Sequence, residues 1–280
     1  MAATVAATEH DVEAARIERR RRFRSNTLPA LVTVGPVTLW LLAFIAVPLL
    51  YILIMGFCST DQYYNVVYCF TLDNFQAMLD PEYLKIYGQS ILIAAISTAI
   101  CLVLAYPFSY LISRTFKSKK TLLYMMIIIP FWTNSLVRIY GWRTFLSATG
   151  QLNTFLMAIG ATSEPIQFLY NQACTVFGMA YDMFPFTVLP LYAAIEKLDE
   201  AQIEASFDLG ANMLTTIFKV VIPQTMSGIF SGCIMVFIPS LGAFYISDIL
   251  GGGNADVIGN LIQRQFQSAN DWPLGAALSI

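Results

Sequence analysis

Two carboxylates interrupt long apolar stretches of this 280-residue chain. Asp182 lies near the middle of the run 172–195, beside Tyr181 and three residues before Pro185. Asp248 closes the run 220–247, next to Ser247 and near Tyr245. An ionised carboxylate in such surroundings is expensive unless it faces a fixed cation or a watery path open to a passing one. A further apolar run is lined or flanked by Trp132, Asn134, Tyr140 and Trp142. Aromatic faces beside carboxylates suit a flexible polycation, through charge pairing and cation–π contact. The plainer alternatives are a fixed ion pair of Asp182 with Arg138 or Arg143, and an interfacial or packing role for the rings.

A second pattern lies in the polar segment 196–219. Glu200, Glu204 and Asp208 fall at i, i+4 and i+8, an acidic stripe on one helical face. Like charges at that spacing cost an isolated helix a few tenths of a kcal/mol per pair. Ile203 and Phe207 make a neighbouring apolar stripe, and Gly210 is placed to end the helix. The functional reading is a short helix that docks on a basic partner; the alternative is a solvated loop with incidental charge.

Other chemistries find little support. The single histidine, His10, sits in the polar N-terminal tail, which argues against imidazole catalysis and multi-histidine metal sites. The five cysteines show no C-x-x-C spacing, so no zinc or disulfide framework is indicated. Cys58 and Cys69 can pair if they share one side of the membrane; apolar filling is the simpler role for both. No G-x-x-x-x-G-K-[ST] occurs, and Gly251-Gly252-Gly253 reads as a turn. No catalytic residue and no metal ligand is assigned.

The elements that must position these residues are membrane spans. Hydrophobic residues make up 57% of the chain and charged ones 12%, against roughly 25% charged in soluble domains. That balance excludes a disordered chain, a coiled coil and, with a net charge of −2, a nucleic-acid binder. Spans need about 20 mostly apolar residues. They are expected at 31–57, 86–113, 121–137, 172–195 and 220–247, and 273–280 reads as the opening of a sixth. The first run is about twice the length of a secretory apolar core, so an uncleaved helix is expected. Residues 71–80 suggest a capped turn or two ended by Asp80-Pro81, and 143–164 an interfacial or outer-face helix.

Orientation follows the lysine and arginine bias. Alternating spans put the arginine-rich tail, the loop 114–120 and the loop 196–219 on one side, with twelve basic residues in all. The opposite side receives four: Lys85, Arg138, Arg143 and Arg264. The expected organisation is a cytoplasmic basic tail, 1–27, and a transmembrane domain, 28–280, with the cytoplasmic loop 196–219. No tandem repeat is visible.

Glu204-Ala205-Ser206-x3-Gly210-x9-Val220-x-Ile222-Pro223 resembles the EAA loop of ABC importer permeases, E-A-A-x3-G-x9-I-x-L-P. Ser206, Val220 and Ile222 depart from the pattern, while the Glu, Gly and Pro anchors stand at the right spacing. Pro130-Phe-Trp-Thr-Asn-Ser-Leu-Val-Arg138-Ile-Tyr-Gly-Trp142 is similar to a stretch of spermidine/putrescine permeases. So are the stretch 239–252, Gly259-Asn260 and Asp271-Trp-Pro273. The resemblance implies an all-α, polytopic membrane protein of the six-span type I importer architecture, with five complete spans and the start of a sixth in this sequence. It implies ATPase coupling through Glu200, Glu204, Ala205, Asp208, Gly210 and Pro223. It further implies a second homologous permease, two copies of a cytoplasmic ATPase that bind ATP and Mg, an extracytoplasmic polyamine-binding protein, and residence in a bacterial inner membrane. The substrate pathway is expected at Trp132, Asn134, Tyr140, Tyr181, Asp182, Tyr245 and Asp248. Alternatives are an ABC permease for another small solute, or a secondary transporter. The latter often shows an inverted repeat and broken helices in both halves, neither of which is apparent from the sequence.

Overall fold

The structure, a computed structural model, describes residues 28–114 and 117–280. The basic tail expected on the cytoplasmic side lies outside the described residues, as do Thr115 and Phe116 of the basic loop. By its contacts the chain forms two units. One ends at Asn74 and takes in Trp272–Ile280; the other is Phe75–Asp271.

In the first unit, α1 (Leu28–Gly56) is the expected first span, and its stretch Val32–Gly56 is long and apolar enough to cross a membrane. It ends in a tight turn closed by a two-stranded antiparallel ribbon, with Ser59 opposite Val67 and Thr60 opposite Val66. The Asn74 amide donates to the carbonyls of Gly56 at 3.0 Å and Cys58 at 2.7 Å, satisfying acceptors that a helix end leaves open. All five cysteines are free thiols. Burial pushes the Cys58 thiol above its ordinary range, which makes it a weak nucleophile. The closing segment is helical, and this helix packs against α1 with residues 273–278 buried. A Cβ on Gly56 would lie 3.3 Å from the Ala277 backbone, so glycine permits that approach.

The division falls within α2 (Asp73–Ala77), whose start is fixed by the Asp73 amide donating to Thr71 Oγ1 at 3.1 Å. Three helices form the centre of the second unit: α3 (Pro81–Arg114), then α7 (Gln172–Glu196) and α10 (Met226–Gly242). The buried face of α3 carries Ser90, Ala94, Ser97, Cys101, Ala105 and Ser109, small side chains at helical spacing. Small residues let helices approach closely where lipid supplies no hydrophobic drive between them. Cys101 Sγ accordingly reaches the Ala180 carbonyl of α7 at 3.3 Å.

Two spans are broken, where the sequence suggested continuous ones. The expected span 121–137 ends with α4 (Lys117–Phe131), and the chain turns by 87° before α5 (Ser135–Leu146). The Asn134 side chain accepts from the Leu136 amide at 2.8 Å and so starts a new helix inside the apolar run. Next comes α6 (Gln151–Ala158), in the stretch expected to hold an outer helix.

The expected loop 196–219 contains α8 (Glu200–Asp208), capped by Asp199 and ended at Gly210 with φ +81°. Here α9 (Met213–Gln224) begins, earlier than the expected span. It meets α10 at a 70° bend, where Thr225 Oγ1 donates back to the Val221 carbonyl at 2.8 Å. A second interruption at Ala243 precedes α11 (Phe244–Ile246), and α12 (Ile258–Arg264) leads into the closing helix α13 (Trp272–Ser279). Among the described residues, three helices are long and apolar enough to cross a membrane, or up to five if each bent pair is one span.

Candidate translocation site and coupling surface

Asp182 projects from α7 onto both broken spans. Its Oδ1 accepts from Arg138 at 2.5 Å and from Ser135 Oγ at 2.7 Å, and its Oδ2 accepts from the Tyr245 hydroxyl at 2.8 Å. Ser135 and Arg138 lie in α5, just past the first break; Tyr245 lies in α11, just past Ala243. The pair is deeply buried, with side-chain exposures of 10% for Arg138 and 5% for Asp182. Of the two arginines considered from the sequence, Arg138 is the partner; Arg143 lies over the Tyr140 ring at 5.9 Å. Arg138 also donates to the carbonyls of Pro130 at 2.8 Å and Thr133 at 3.1 Å. It thereby satisfies the Thr133 carbonyl and adds a third donor to the Pro130 carbonyl, which already accepts from the Thr133 amide and hydroxyl at the end of α4.

A cavity of about 630 Å³ opens on this cluster, and Phe131, Phe186, Met235 and Pro239 supply much of its apolar wall. The other expected pathway residues do not gather there. Tyr181 faces a separate apolar cavity of about 920 Å³ between α3, α4 and α7, and its ring meets Trp142 edge-on at 5.4 Å. Trp132 is 85% exposed at the first break, Tyr140 is half exposed, and Asn134 serves as the cap of α5. Asp248 is exposed and accepts from Asn260 Nδ2 at 2.6 Å, at a polar recess of about 300 Å³ shared with Asp256 and Arg264, which form an ion pair. Ser135 was not singled out from the sequence, and no spacing signal marks a lone serine.

On α8 the acidic residues Glu200, Glu204 and Asp208 are exposed, as is Ala205. Glu200 pairs with Arg114 at 2.8 Å, and nearby Glu196 pairs with Lys120 at 2.8 Å. Ile203 and Phe207 do not share a surface as the periodicity suggested. Ile203 is buried with Ser206, whose hydroxyl bonds Thr216 at 2.8 Å, because α9 folds back on that side. The exposed apolar surface is built instead from Phe207, Leu209, Met213, Leu214 and Phe218. Pro223 is exposed two residues before the 70° bend rather than on α8. Among the described residues, no group of three or more His, Cys, Asp or Glu is placed to hold a metal ion.

Spans that break around a paired carboxylate, with an exposed acidic and apolar helix between two of them, define a polytopic all-helical permease. The family model described as "Binding-protein-dependent transport system inner membrane component" matches residues 105–280, and the chain belongs to that family. It is 44% identical over 241 residues to the spermidine/putrescine transport system permease protein PotB of Escherichia coli strain K12, covering 86% of this chain and 88% of that one. The protein of the same name from Haemophilus influenzae is 39% identical, with 89% and 87% covered. Among solved structures, a bacterial ABC transporter involved in import of the acidic polysaccharide alginate superposes with a TM-score of 0.70 at 18% identity, covering 94% of this chain and 92% of that one. That likeness establishes the fold. The broken spans are features of this permease and need no secondary-carrier explanation.

Proposed function

We propose that this chain is one half of the membrane pore of an ATP-driven importer for polyamines of the spermidine/putrescine class. The observation that carries the reading is the 44% identity across nearly the whole of a permease named for that cargo. The chemistry agrees with it: the recess of Asp248, beside the Asp256–Arg264 pair, carries a net negative charge that suits ammonium groups and repels anions, and the larger cavity holds the carboxylate of Asp182 against Arg138. A second permease completes the pore, two copies of a cytoplasmic ATPase bind ATP and Mg, and a binding protein delivers the cargo outside. Glu200, Glu204, Ala205, Asp208 and Gly210 form the surface that receives the ATPase, and Pro223 sets the bend behind it. ATP-driven closure of the ATPases moves this surface, and the spans rock between outward-open and inward-open states. Trp132, Asn134, Tyr140 and Tyr181 flank the path, with Tyr245 and the two acids in contact with cargo.

The test is uptake of labelled spermidine by the assembled complex in proteoliposomes, with the binding protein and ATP supplied. Uptake is expected, and Asp248→Asn should reduce it several-fold with ATPase assembly intact. A complex that hydrolyses ATP but takes up no polyamine overturns the assignment.

A further inference from the structure

Arg138 already sits in a cation site. Its guanidinium touches a carboxylate at 2.5 Å and two backbone carbonyls at 2.8 and 3.1 Å, and it lies 4.7 Å from the Phe131 ring centroid. Carboxylate, carbonyl oxygen and aromatic face are the three kinds of partner an ammonium group seeks. Ser135 and Tyr245 hold the carboxylate in place from the other side. The cavity that opens on the pair is of ligand size.

We infer that Arg138 is a resident competitor, and that one ammonium group of the cargo replaces it on Asp182 during passage. This rests on the polyamine reading above and adds the residue that enforces it. A buried carboxylate stripped of its cation is strongly disfavoured, so the pair opens readily only when another cation takes the vacated place. Neutral and anionic solutes cannot make that exchange. Exchange also keeps affinity modest, because every bound ammonium competes with a tethered guanidinium, and a pathway must release what it binds.

The arithmetic is that of a site whose competent state is a minor one. If the paired state holds nine-tenths of the population, apparent affinity for the cargo is lowered about tenfold. Spermidine binding is therefore measured on the complete permease–ATPase complex in nanodiscs, without the binding protein. Arg138→Gln is expected to bind spermidine about tenfold more tightly than wild type. Added guanidinium ion should compete in Arg138→Gln and not in wild type, and adding Asp182→Asn should abolish the gain. Arg138→Lys keeps the charge but loses the fork that holds the two carbonyls through one nitrogen and the carboxylate through the other, so it should shift binding the same way by less. If Arg138→Gln fails to assemble, Arg138→Lys decides alone. Binding no tighter than wild type in whichever variants assemble overturns the exchange while leaving the polyamine reading intact. A wild-type complex that neither binds nor takes up any polyamine overturns that reading, and this inference falls with it.

Discussion

Asp182 has three polar partners to satisfy one charge, and their removal should not cost equally. Tyr245→Phe removes a hydroxyl that bonds Asp182 at 2.8 Å and Ser135 at 3.0 Å, contacts of a kind worth about 1 kcal/mol each within membranes. Replacing Arg138 by leucine leaves an uncompensated buried carboxylate and should cost about 3–5 kcal/mol. The double variant Arg138→Leu/Asp182→Leu removes both charges and should recover most of that loss. Unfolding of the purified chain in a graded detergent series measures all three; a double variant no better than the worse single one contradicts the ion-pair account. At the other site, Glu204 is exposed on α8 beside an apolar surface. Glu204→Lys should leave the chain inserted and folded, while ATPase copurification and coupled uptake are lost. Normal assembly and uptake by that variant would end the docking reading.

Among the elements, two glycines act for different reasons. Gly210 ends α8 at φ +81°, and nothing lies within 4 Å of a Cβ placed there. Gly210→Ala therefore carries only the backbone penalty, about 1–2 kcal/mol, and Gly210→Asn less. Hydrogen exchange of the amides of 200–210 should quicken in the alanine variant with the rest of the chain unchanged. Gly228 of α10 has an ordinary backbone, yet its Cβ would lie 2.6 Å from Ala194 Cβ and 2.9 Å from the Pro190 carbonyl. Backbone cannot yield as a flexible side chain does, so Gly228→Val should push α10 off α7. The expected result is loss of folded protein from the membrane fraction, and accumulation at the wild-type level would show that the two helices are not packed this closely.

For the molecule as a whole, the charge bias predicts the side of each segment. In intact cells, an impermeant thiol reagent should modify Asp73→Cys and leave Ser118→Cys protected, in a background cleared of the native cysteines. The reverse pattern would invert the topology. Hydropathy alone located the long helices α1, α3 and α7, because a run of about 20 apolar residues is a local property that needs no partner. Local chemistry also marked α8, through its acidic stripe and Gly210 as its stop, whereas its cap, Asp199, emerged only from the structure. The spacing of Glu204, Gly210 and Pro223 was equally legible, and it pointed to the family. Tertiary structure decided what hydropathy leaves blank. Asp182 meets partners 44, 47 and 63 residues away, and the spans break at 132–134, at Thr225 and at Ala243 to bring them there. Ile203 is buried and Phe207 is not, because α9 folds back on one side of α8 only. The physical reason is that both faces of such helices carry apolar residues. In the spans, the face that packs and the face that meets acyl chains are both apolar, so residue type does not record which neighbour a helix will meet. On α8, Ile203 and Phe207 are equally apolar, and only the fold-back of α9 decides which is covered.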